Sequence, residues 1–138
     1  MVVEDEPNIR NLLFDVLSDE GYQVSLVKDG QDSLNQLRNR RFDLLITNVE
    51  MPRVDGIALL KKMKRARRKE KVIVMTGKST KQEDLRKQIP LAIPLLFKPF
   101  QMSKLLDIVS LTLNLRNRQT MKKRIRPIQK EKEALHAV

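Results

Sequence analysis

Glu4, Asp5, Asn48, Thr76 and Lys98 are the residues of this chain whose chemistry could act together. Adjacent carboxylates offer the hard oxygen ligands that a divalent cation takes. A hydroxyl and an ammonium can hold the oxygens of a phosphoryl group in flight. These are the parts of a phosphoryl-transfer site, with one exception. Position 48, where a nucleophile would complete the set, holds a carboxamide. A carboxylate can attack phosphorus and carry the group as an acyl phosphate. An amide nitrogen is a poor nucleophile, and the amide oxygen bears no full charge. Taken singly, each residue has an ordinary explanation: Glu4 and Asp5 as loop acids, Thr76 as a strand-end hydroxyl, Lys98 as a surface lysine. What joins them is that each closes a short apolar run.

Those runs span residues 1–3, 44–46, 72–75 and 95–97, with a further one at 24–27. Their length and their Val, Ile and Leu content suit strands buried on both faces of a parallel sheet. The segments between them have helical spacing. Ile9, Leu12, Leu13, Val16 and Leu17 form one stripe, with Pro7 near its start and Gly21 after its end. Ser33, Leu34 and Leu37 mark a weaker helix ending near Arg40. Ile57, Leu59, Leu60 and Met63 mark a third, after Gly56. Residues 81–89 suit a short fourth, rigid at its exit because Pro90 and Pro94 follow. Leu105, Leu106, Ile108, Val109 and Leu113 mark a fifth. Five strands alternating with five helices imply an α/β, (βα)5 sheet, parallel and covered on both sides by right-handed crossovers. In such sheets sites gather at the carboxyl ends of the strands, which is where the reactive residues fall. Only three residues precede Glu4, short of the about five of a typical strand, which puts Met1 in doubt as the natural start.

Glu4-Asp5-Glu6-Pro7, the stretch from Asn48 through Gly56, Thr76-Gly77 and Lys98-Pro99-Phe100 resemble, in order and approximate spacing, the motifs of the receiver domain of two-component response regulators. The resemblance covers roughly residues 1–112 and implies a flavodoxin-like fold. Any one motif is common; four in register are specific. By this resemblance Asn48 stands where the family has its phospho-acceptor aspartate. Asp5 would be a Mg²⁺ ligand, with Glu4 acting partly through water and the backbone carbonyl of Glu50 as a further ligand. Thr76 would be the hydroxyl that moves on activation, and Gly77 the small residue that leaves access. Lys98 would pair with phosphate and with the acceptor, and the Lys98-Pro99 bond would be cis, a form open chiefly to X-Pro peptides.

Three departures follow. Asn48 removes the nucleophile and one charge, so the Mg²⁺ set of Glu4, Asp5, Asn48 and Glu50 is expected to bind weakly or not at all, and Asn48 is left to accept only a weaker hydrogen bond from Lys98. With fewer crowded carboxylates the empty fold could gain stability. Leu95 occupies the switch position where receivers often place an aromatic ring. The two prolines alter the face around the fourth helix. Asn48 is compatible with a natural pseudo-receiver and with an engineered block on phosphorylation.

Composition sets outer limits. The 138 residues suit a single domain, expected over residues 1–115, with 116–138 as a basic helical extension or linker that Pro127 interrupts. Absent cysteine rules out disulfides and thiolate chemistry and fits a reducing cytoplasm. No apolar run approaches the ~20 residues of a membrane span, and the first residues carry no secretory pattern. Met63 and Met75 read as core filler. His136, the one histidine, belongs to the tail rather than to catalysis. Net charge is +11, and residues 116–138 hold eight Lys/Arg against Glu131 and Glu133. That tail gives nucleic acid a slight claim as partner, weakened by the lack of aromatic residues for stacking. The other basic residues read as dispersed. No Gly-rich phosphate loop follows the first strand and no nucleophile–base pair is present, so an enzyme is not expected. The expected partners are a histidine kinase or phosphotransfer protein, an output domain, or a second copy in a homodimer. The alternative is a basic nucleic-acid-binding module.

Overall fold

Ten elements alternate strictly in the computed structural model, which describes residues 1–77 and 81–121, with side chains through 114. The strands are β1 (Val2–Val3), β2 (Leu26–Val27), β3 (Leu44–Asn48), β4 (Lys71–Thr76) and β5 (Leu95–Phe97). The helices are α1 (Pro7–Asp19), α2 (Gly30–Asn39), α3 (Gly56–Arg65), α4 (Gln82–Gln88) and α5 (Met102–Met121). α5 runs through the junction expected near residue 115. Pro127, His136 and the rest of the basic extension past Met121 lie outside the described residues.

All neighbouring strands are parallel, in the order β2-β1-β3-β4-β5. Successive side chains of a strand face opposite ways, so each buried strand feeds two cores. Leu44 and Ile46 join Val2, Ile73 and Met75 beneath Leu13 and Leu17 of α1 and Leu105 and Val109 of α5. Leu45 joins Val3 and Val27 beneath Leu37, Leu59 and Met63 of α2 and α3. Val74 meets Leu85 of α4 and Ile89. The α1 stripe is narrower than its spacing suggests. Leu13 and Leu17 are buried and Ile9 packs beside them, whereas Leu12 is 46% exposed.

Local chemistry sets the helix starts. Pro7 opens α1, where its missing N–H costs nothing. Asp29 caps α2 by accepting from the Asp32 amide at 2.9 Å, and Asp55 caps α3 by accepting from Ala58 at 2.8 Å. Asp29 also receives Arg53, at 2.5 Å from Nη2, which fastens the loop after β3 to the start of α2. A Cβ on Gly30 would stand 2.0 Å from the Val54 carbonyl oxygen, so this approach needs glycine.

Candidate functional site

The strand order reverses at β1, between β2 and β3, and the reactive residues lie at the carboxyl ends beside that reversal. β1 delivers Glu4 and Asp5, and the Glu4 amide donates to the Val27 carbonyl at 3.1 Å. Asn48 ends β3 and Thr76 ends β4. The chain then turns inward past β5, where the Lys98 amide donates to the Thr76 carbonyl at 2.8 Å and Lys98-Pro99 is cis. Gly56 fits closely beneath β3: a Cβ there would meet the Asn48 carbonyl oxygen at 2.1 Å.

Glu4, Asn48 and Thr76 are buried, and Glu4 has no exposed surface at all. Lys98 Nζ donates to both Glu4 oxygens, at 3.0 and 3.3 Å. Asn48 Nδ2 donates to Glu4 Oε2 and, at 3.1 Å, to Asp5 Oδ1. The five expected residues therefore do converge, but the pairing differs from expectation. Lys98 goes to Glu4, and no bond from it reaches Asn48. The reason is charge: a full carboxylate is the stronger acceptor for an ammonium than an amide oxygen. Facing two acids, the amide presents its N–H groups, since its oxygen would be repelled. Asn48 Oδ1 is left buried without a partner, an arrangement that costs about 1–3 kcal/mol. Burial raises the Glu4 carboxyl above its usual range, against the downward pull of Lys98.

The second half of the site centres on Glu50. Its carboxylate accepts from the Thr76 hydroxyl at 3.0 Å and, at 3.5 Å, from the Gly77 amide. Sequence reasoning used only the Glu50 backbone. An exposed acid two residues past a strand end gives no sign of where its side chain turns. An added Cβ at Gly77 would touch nothing within 4 Å, so that flank is open. Leu95 is half-buried and packs with Val74, Leu85 and Ile89.

As arranged, these groups do not fit Mg²⁺. That ion takes oxygen ligands in near-octahedral array, whereas the Asn48 atom turned toward Glu4 and Asp5 is a nitrogen bearing hydrogens. The Glu4 carboxylate is already held by two donors. Among the described residues no three His, Cys, Asp or Glu side chains are grouped to hold a metal ion.

The chain is similar to known proteins over most of its length. A family model described as the response regulator receiver domain matches residues 1–110. The transcriptional regulatory protein DltR of Streptococcus agalactiae is 31% identical over 120 residues, which cover 87% of this chain and 52% of DltR. The chain thus spans about half the length of that relative. Sporulation initiation phosphotransferase F of Bacillus subtilis is 31% identical over 117 residues, covering 85% of this chain and 94% of that protein. Among solved structures, the Vibrio cholerae chemotaxis protein CheY4 superposes with a TM-score of 0.71 at 27% identity, covering 81% of this chain and 95% of that one.

Proposed function

The chain belongs to the response regulator receiver family of two-component signalling, and on that premise we propose that it is a receiver closed to phosphorylation at position 48. The reading rests on one observation. The side chain between the acid pair and the phosphate-facing flank is an amide whose N–H groups bridge Glu4 and Asp5. Those hydrogens stand in for part of the charge a cation would bring, and they hold the two acids together without one. The nucleophile is missing at the same atom. Lys98 is spent on Glu4 and the Thr76 hydroxyl on Glu50, so both groups that would greet a phosphoryl group have internal partners.

Such a domain works as a signalling module rather than as an enzyme. It acts in the cytoplasm by presenting one standing surface to a kinase, a phosphotransfer protein, an attached output region or a second copy. Mg²⁺ binding is weak, since the Asn48 oxygen would face the ion only if the amide turned over. Leu95, in place of a swinging ring, fits a surface that does not toggle.

The test is direct. Incubated with acetyl phosphate or beryllofluoride and Mg²⁺, the protein should show neither label nor tight binding. Asn48→Asp should gain both. The same variant should lose about 1–3 kcal/mol in chemical denaturation without metal, because a third carboxylate meets Glu4 and Asp5, and Mg²⁺ should restore much of it. Stoichiometric labelling of the unaltered chain would refute the proposal.

A further inference from the structure

The basic residues that read as scattered along the chain are gathered at one end of the fold. Residues 61–71 contain eight Lys/Arg and a single acid, Glu70. They form the last turns of α3, the turn after it and the first residue of β4. Arg38, Arg40 and Arg41 leave α2 at the same end. Arg68 ties the two stretches together. Its guanidinium donates to the Leu37 and Arg40 carbonyls, each at 2.8 Å, and to Glu70 at 2.6 and 2.9 Å. The Lys71 amide donates to the Asp43 carbonyl at 3.1 Å. Most of these cations are exposed. Of the acids among them, Glu70 is consumed by Arg68 and by the Phe42 amide at 3.0 Å, which leaves Asp43. This end is opposite the acid site, separated from it by the length of β4, roughly 17 Å at the usual rise per residue.

The surface is concave. A cleft of about 900 Å³ is lined by Arg41, Arg67, Lys69 and Lys71, with the acids Asp43 and Glu70 and the aromatic residues Tyr22 and Phe42 in its wall. Both rings are half-buried, and the Arg40 guanidinium lies 5.1 Å from the Phe42 ring centre. Cations around a groove, with flat rings in its wall, are the two features that hold a single strand of nucleic acid: the cations track phosphates and the rings stack on bases. Six of the eleven cations are arginines, whose planar forks match phosphate oxygens. An acidic polypeptide would use the charge but leave the rings without a role.

We propose that this end of the molecule binds nucleic acid, through phosphate contacts along residues 38–41 and 61–71 and base stacking in the cleft. The proposal is independent of what happens at Asn48, and either can fail alone. Fluorescence anisotropy of the full chain with labelled oligothymidylate tests it. Affinity should fall steeply with salt. Lys64→Glu/Arg67→Glu/Lys69→Glu should weaken binding at least about tenfold and make the log–log salt slope shallower by about 2, at about 0.7 per lost single-strand contact. Lys28→Glu/Lys81→Glu/Lys104→Glu makes the same change in net charge at the opposite end, on exposed residues, and should cost less than about threefold. All six side chains are exposed, and matched circular dichroism of the two variants checks the fold. Equal losses from both triples would overturn the proposal, because diffuse charge would then suffice. So would no binding at low salt, or polyglutamate competing as well as oligothymidylate at equal charge.

Discussion

At the scale of single residues, a buried acid is set against one cation. Glu4 has no contact with water, and burial lifts its carboxyl above the ordinary 4.5. Its ionised form is therefore a cost that is absent below about pH 4.5 and grows as pH rises from there through the raised value. Lys98 limits that cost. Lys98→Met should lower stability by about 3 kcal/mol at neutral pH, and the loss should shrink toward pH 4 as Glu4 takes up a proton. Urea unfolding at the two pH values reads the difference; an equal loss at both would exclude this account. The convergence of Glu4, Asp5, Asn48, Thr76 and Lys98 was legible in the sequence, because each closes an apolar run and parallel strands deliver their ends to one rim. Which atoms pair was not. Lys98 chooses Glu4 over Asn48, and Glu50 turns to Thr76, through side-chain torsions that no spacing in the chain records.

At the scale of elements, the loop after β3 is pinned at both ends. Arg53 holds it to Asp29 at the head of α2, although its backbone sits at φ 67°, a left-handed conformation that costs a side-chain-bearing residue energy. Gly56 tucks it under the Asn48 carbonyl. Gly56→Ala should cost about 3 kcal/mol, since backbone must move to admit the methyl group, and thermal unfolding would show it. Gly21→Ala, where the methyl group meets no neighbour but φ is 93°, should cost less, about 1 kcal/mol. Burial pushes the Asp29 carboxyl up, but the Asp32 amide and the Arg53 guanidinium outweigh it and hold the group below its ordinary 3.8. The stability this gives is present above pH 3.8 and is lost as pH falls through the lowered value. Asp29→Asn keeps an adequate helix cap and loses the charge pair. It should cost about 1 kcal/mol at neutral pH and flatten part of the acid decline, as measured by unfolding across pH 2–5. The sequence announced these elements through periodicity and through Pro7, Gly21 and Gly56. It was silent on Arg53, a lone basic residue in a loop whose partner lies 24 positions earlier.

At the scale of the whole molecule, the two ends of the strands differ in charge balance. At one rim Glu4 and Asp29 are paired with Lys98 and Arg53, whereas at the other the lysines and arginines of 38–41 and 61–71 far outnumber their acids. Crowded like charges destabilise the folded chain: on α3 Lys61 faces Lys64 and Arg65, at about 0.2–0.5 kcal/mol for each such pair. Part of this is offset because the cations sit at the helix carboxyl end, where the helix dipole favours them. Added sodium chloride should raise the unfolding temperature by screening the remainder, and Lys64→Glu/Arg67→Glu/Lys69→Glu should lose most of that gain. The basic rim could not be read as a patch from the sequence, because it joins two segments some twenty residues apart through a fold that had yet to be established. Arg68 carries a consequence of its own. Most of its neighbours on the rim reach into water, but its guanidinium closes the end of α2 and neutralises Glu70. Any programme that strips the rim of charge, by evolution or by design, can therefore remove the surrounding cations one at a time and must stop at this one, where the surface and the scaffold are the same side chain.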